Sequence, residues 1–145
     1  MINFSRFRLD NGLRVIVHED RSTPLVAMNI LYDVGSKDED PSLTGMAHLF
    51  EHLMYSGTAN IPEYDLPLQL AGGENNAFTN NDITNFYLTL PSGNIETAFW
   101  LESDRMGFFI NSVTGRSLAI QQNVVQNEKR QSEDNSPYGF TSYVI

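Results

Sequence analysis

In the stretch Thr44-Gly45-Met46-Ala47-His48-Leu49-Phe50-Glu51-His52-Leu53-Met54-Tyr55-Ser56-Gly57, two imidazoles stand four residues apart with a carboxylate beside the second. Residues four apart project from one face of a helix on successive turns, so a helix here lets both histidines reach one metal ion with Glu51 next to it. That requirement fixes the local fold, and it obliges the rest of the chain to deliver a third ligand from elsewhere. Zinc hydrolases commonly use three protein ligands and keep the fourth position for water, whose pKa the metal lowers to about 7. Glu51 is too near along the helix to be an easy third ligand, but it is well placed to take a proton from such a water and pass it to a leaving amine. The order His-x-x-Glu-His is the inversion of the commoner His-Glu-x-x-His of zinc hydrolases. The alternative is that His48 and His52 are ordinary helix residues, one packed and one solvated. Against it, the chain has only three histidines, and two of them fall at ligand spacing with a glutamate between them.

A chain of 145 residues with 41% hydrophobic and 11% aromatic residues can bury the core of one ordinary domain. Its formal charge of -9 argues against a nucleic-acid partner, which would require a basic face. With no cysteine there can be neither a disulfide framework nor a thiolate metal site, so zinc would have to be held by histidine and carboxylate. The opening Met1 to Arg8 lacks the long apolar core of a signal peptide, and no later run approaches a membrane span. A cytoplasmic location is therefore expected, or a periplasmic one if the native N-terminus has been trimmed.

Residues 4–9, the turn signal Asp10-Asn11-Gly12 and Leu13 to His18 predict a β-hairpin. His18 lies on the opposite parity from Leu13, Val15 and Val17, which makes it a surface position and not a ligand. Leu25 to Val34 is apolar on both parities, as in a strand covered on two sides or central in its sheet. Ser36 to Ser42 reads as a charged, solvated connection. After the metal helix, Pro62 opens a second helical stretch through Leu70, and Ala71-Gly72-Gly73 breaks it. Residues 74–82 are polar with one aromatic, and Ile83 to Leu90 alternates as a strand that Pro91 stops. Asn94 should cap a helix with Ile95, Ala98, Phe99, Trp100, Leu101 and Met106 on a broad buried face and Glu102, Asp104 and Arg105 interspersed. A last helix runs from Thr114 or Arg116 to Glu133 with Leu118, Val124 and Val125 inward, and Phe140 to Ile145 reads as the start of another element. That helix offers Glu128 and Glu133 as third ligands. Glu128, in mid-helix beside Val124-Val125, is the better of the two, although a mid-helix glutamate is usually a solvated helix former.

His48-Leu49-Phe50-Glu51-His52, Gly72-Gly73-Glu74-Asn75-Asn76-Ala77-Phe78-Thr79 with Asp82-Ile83-Thr84-Asn85, and Val124-Val125-Gln126-Asn127-Glu128 follow one another along the chain. In these motifs the sequence resembles the pitrilysin/insulinase family of zinc metallopeptidases, most of all the shorter bacterial relatives of the mitochondrial processing peptidase. The resemblance covers nearly the whole chain. It implies an α+β two-layer sandwich, a mainly antiparallel sheet with helices on one face. It also implies one zinc ion held by His48, His52 and Glu128 with Glu51 as general base, and an endopeptidase acting on unfolded peptides. Asn75, Asn76, Ala77, Phe78 and Thr79 correspond to a sheet edge that takes the substrate backbone as an added strand.

Two departures accompany the resemblance. Many family members carry a glutamate seven positions before the third ligand, supporting the metal site; here Gln121 stands there, able to hydrogen-bond but without charge. Family members are also longer, and a homologous C-terminal half or partner subunit closes the cleft and adds an Arg and Tyr pair. Residues 1–145 thus read as an incomplete N-terminal zinc-binding peptidase domain, with poor activity expected of the piece alone. The remaining alternatives are an inactive family member serving as a structural or regulatory partner subunit, and a purely structural zinc. The intact motif argues against the first, and the absence of cysteine against the second.

Overall fold

A computed structural model describes residues 2–135 and 137–139. The chain opens with the expected hairpin, β1 (Ser5–Arg8) against β2 (Arg14–Val17), antiparallel with Ser5 opposite Val17. Gly12 turns it at φ 94°, a left-handed conformation that favours glycine. His18 is exposed, its Nδ1 2.6 Å from the Asn3 carbonyl oxygen.

A separate three-stranded antiparallel sheet has the order β3 (Leu25–Tyr32), β5 (Thr84–Pro91), β4 (Glu74–Thr79). This corrects the reading of residues 25–34: among the described residues β3 pairs with β5 alone and is covered on one face. Val26, Met28, Ile30 and Tyr32 turn inward, while Leu25 and Leu31 are exposed. The central strand is β5, whose Phe86, Leu88 and Leu90 are all buried. Helices cover that face. Ile61, Tyr64, Leu68, Ala98 and Leu101 close over Leu88 and Leu90 to form one core. A second core joins Leu49 and Leu53 of α1 (Met46–Met54) to Phe109 of α3 (Ile95–Ser112), flanked by Leu118 and Val125 of α4 (Gly115–Lys129). The architecture is the expected two-layer α+β arrangement.

Three helices differ from their sequence patterns. The helix expected from Pro62 begins only at Asp65, as α2 (Asp65–Leu70). A tight turn precedes it: Thr58 Oγ1 accepts from the amides of Asn60 and Ile61, and Gly57 at φ 78° allows the close approach of Ile61 and Pro62. On α3 the buried stripe is Ala98, Leu101, Glu102, Asp104, Arg105 and Phe109, whereas Phe99 (59%), Trp100 (50%) and Met106 (46%) are exposed. Positions 98, 101, 102, 105 and 109 follow helical spacing, so the geometry places charges inside, where they find partners. Asp104 accepts from Thr58 and Asn60, Glu102 accepts from Tyr64 and pairs with Arg105, and the Arg105 guanidinium lies 3.9 Å from the Tyr64 ring centre and 4.4 Å from that of Phe86. Asn94 occupies the N-cap position of α3, but its side chain donates to the Ala71 carbonyl and does not cap.

Thr114 caps α4 in a reciprocal pair with Ser117, and the helix passes into one wide turn at Arg130–Asp134. Leu118 and Val125 pack inward as expected; Val124 is exposed, because α4 meets the core along a narrow seam with no fully buried residue. Residues 140–145, expected to begin another element, lie outside the described residues.

Candidate active site

Helix α1 is anchored at its N-terminal end. At its start Gly45 is left-handed (φ 87°), and the Glu39 carboxylate accepts from the amides of Gly45 (2.7 Å) and Ala47 (2.8 Å). These amides belong to the first turn, where helix N–H groups lack internal partners and negative charge is favoured. The connection 36–42, read from sequence as solvated, therefore contributes a capping side chain. Along the helix, Leu49 and Leu53 face the second core while His48 and His52 stand half-buried on the side met by α4.

On α4, Glu128 reaches that side. Its Oε2 lies 3.5 Å from His48 Nε2 and 3.1 Å from His52 Nε2, and the two Nε2 atoms are 3.2 Å apart. The point in their plane equidistant from the three atoms is about 1.9 Å from each, and an ion slightly out of that plane meets the 2.0–2.2 Å of zinc–nitrogen and zinc–carboxylate bonds. The three donors thus fit an ion of zinc's size, and among the described residues they form the one group of three His or carboxylate side chains able to hold a metal. Glu133, the other candidate from sequence, falls in the wide turn beyond the end of α4.

Glu51 is 8% exposed, and its Oε2 accepts a hydrogen bond of 2.5 Å from Thr79 Oγ1 at the end of β4. Burial of a carboxylate needs such a partner. Sequence reading grouped Thr79 with the substrate strand and gave no sign of this contact, whose partners are 28 positions apart. Gln121 donates to Ser56 Oγ (3.2 Å), tying α4 to the end of α1.

Residues 74–79 form strand β4, as the resemblance implied and the polar composition alone did not. β4 pairs with β5 on one side, and no strand pairs with its other edge among the described residues. Asn75 is held by Asp65 (2.8 Å), the Asn76 side chain accepts from the Ala77 amide (2.8 Å), and Phe78 is exposed. The structure therefore brings a three-donor cluster, a buried carboxylate and an open sheet edge together around α1.

Against known proteins, the family model described as insulinase, peptidase family M16, matches residues 14–137. The chain is 35% identical over 135 residues to zinc protease PqqE of Helicobacter pylori, an overlap of 91% of this chain and 30% of that protein. It is 27% identical to the uncharacterized zinc protease YmxG of Bacillus subtilis, over 89% of this chain and 32% of that one. A solved crystal structure of a protease from Helicobacter pylori superposes with a TM-score of 0.90 at 30% sequence identity, covering 97% of this chain and 34% of that one. The chain spans about a third of the length of these relatives.

Proposed function

The chain belongs to the insulinase family of peptidases, family M16, and from that premise we propose that it is the N-terminal, metal-binding part of a zinc endopeptidase that cleaves unfolded peptides. The observation that carries this reading is the convergence of His48, His52 and Glu128 on one point, beside the buried carboxylate of Glu51. Zinc, when bound there, supplies an acidified water and polarises the scissile carbonyl. The remaining work falls to the chain. His48 and His52 offer Nε2 donors from successive turns of one helix, and Glu128 adds a carboxylate from another, a set of three that leaves a fourth position for water. Glu51 takes the proton of the attacking water and returns it to the leaving amine. The open edge of β4 pairs with the extended backbone of the peptide, a mode that requires an unfolded substrate and leaves sequence choice to side-chain pockets.

We further propose that a homologous C-terminal half or a partner subunit closes the cleft, so that this piece alone binds zinc but cleaves poorly. No helix among the described residues is long and apolar enough to cross a membrane. The test uses the full-length protein with zinc content measured in every sample. Glu51→Gln should retain zinc and lose hydrolysis by at least the 10²–10⁴-fold typical of a general base. Glu128→Gln should lose zinc while Glu133→Gln keeps it. Zinc lost equally from both, or only from the second, would remove Glu128 from the ligand set.

A further inference from the structure

We infer that Thr79 is a positioning residue for Glu51: carried at the end of β4 and backed by Thr84, its hydroxyl holds the carboxylate in the orientation from which it exchanges a proton at the metal centre. The inference rests on the reading of Glu51 as the base. Its geometric support is independent of that reading.

Glutamate has three rotatable side-chain bonds, and a buried one with no partner would sample several orientations or find another donor. Here one oxygen, Oε2, is committed to Thr79 at 2.5 Å, within the range of a charge-assisted O–H···O bond. The direction of that bond follows from counting protons. An ionised carboxylate only accepts, and each threonine hydroxyl has a single proton to give. Thr84 gives its proton to the Val34 carbonyl oxygen at 3.1 Å, and its Oγ1 lies 3.3 Å from Thr79 Oγ1. The Thr79 proton therefore goes to Glu51. Thr79 and Thr84 are register partners where β4 meets β5, and Thr84 is buried, so the hydroxyl is mounted on paired strands and not on a loop. Threonine's β-branching stiffens its rotamer further.

Thr79 was grouped with the peptide-binding edge, yet its side chain is turned to α1. Replacing it should change the chemical step and not peptide capture. In full-length protein, Thr79→Val, which keeps the shape and removes the hydroxyl, should hold one zinc per chain and bind peptide with an unchanged KM. Its kcat should fall by roughly 10- to 100-fold, part of what loss of the base itself costs. Thr79→Ser should retain most of kcat, and Thr79→Ala should repeat the loss if the valine variant folds poorly. A crystal structure of metal-free Thr79→Val should show Glu51 in more than one rotamer. Adding Thr79→Val to Glu51→Gln should cost nothing more, because the two act as a unit. Wild-type kcat in Thr79→Val, loss of its zinc, a rise in KM alone, or a single unmoved Glu51 rotamer would overturn the inference. Activity retained in Glu51→Gln would instead overturn the assignment of the base.

Discussion

Glu39 receives two of the amides that the first turn of α1 leaves unpaired, and that helix carries both histidines and Glu51. Truncating a side chain that caps a helix start costs about 0.5–2 kcal/mol. Glu39→Ala should therefore lower stability by about 1 kcal/mol in urea unfolding of the metal-free protein, and it should weaken zinc binding because the ligands then sit on a fraying turn. Unchanged unfolding and zinc affinity would show that the cap is incidental. Residues of this kind mark the limit of what the sequence discloses. The pair His48 and His52 is legible because helical geometry converts a spacing of four into proximity. Glu39 is six positions from Gly45, in a charged loop with no capping pattern, and nothing local connects Thr79 to Glu51. Helix position beside Val124-Val125 favours Glu128 over Glu133, and the resemblance strengthens that choice. Gln121, which the resemblance sets near the metal site, donates to Ser56, a contact no local pattern announces.

At the scale of elements, α3 shows hydropathy and geometry in conflict. Its aromatic and methionine side chains suggested the buried face, yet the stripe that meets β5 and α1 contains Glu102, Asp104 and Arg105. Hydropathy alone could not find this face, because the partners that neutralise it come from other elements: Thr58, Asn60 and Tyr64 from the segment between α1 and α2, Tyr55 from the end of α1, and Phe86 from β5. The hairpin strands, β3 and β5 are legible for the opposite reason, since alternation and glycine positions are local signals, whereas β4, polar in composition, is disclosed only by the resemblance. Arg105 is 2% exposed and paired with the buried Glu102, so Arg105→Met strands a carboxylate in the core and should cost about 3–5 kcal/mol. Trp100→Ala, at a half-exposed position, should cost less than about 1 kcal/mol. Denaturant unfolding of the two variants decides between the faces, and a larger loss at Trp100 would restore the hydropathy reading.

At the scale of the whole molecule, the two cores meet at a knot of tyrosines. Tyr55 extends from the end of α1 into the core formed by α2, α3 and β5, with its ring 5.7 Å from Tyr64 and 5.6 Å from Phe86, and Tyr32 of β3 packs edge-on against the same Phe86. Burial raises the pKa of all three phenols, opposed by the Arg105 cation and reinforced by Glu102; Tyr55 is pushed up to about 12 and Tyr64 further. A phenol whose folded pKa lies above its unfolded value near 10 contributes stability that is fully present below pH 10 and is lost as pH rises through the folded value. The sign is therefore alkaline destabilisation, setting in above pH 10 and growing toward about pH 12, as unfolding releases the phenols to ionise in water. Absorbance near 295 nm and far-ultraviolet ellipticity, followed together as pH is raised, should show phenolate from these residues appearing with the loss of secondary structure and not before it. Among the described residues the Tyr55 hydroxyl is buried without a hydrogen-bond partner, so Tyr55→Phe removes an ionisable group at little cost near neutral pH. That variant should move the midpoint of alkaline unfolding to higher pH. A midpoint that stays in place, or a phenolate signal complete at pH 10 in protein that remains folded, would mean that the junction between the two cores is open to water and does not hold α1 against the sheet.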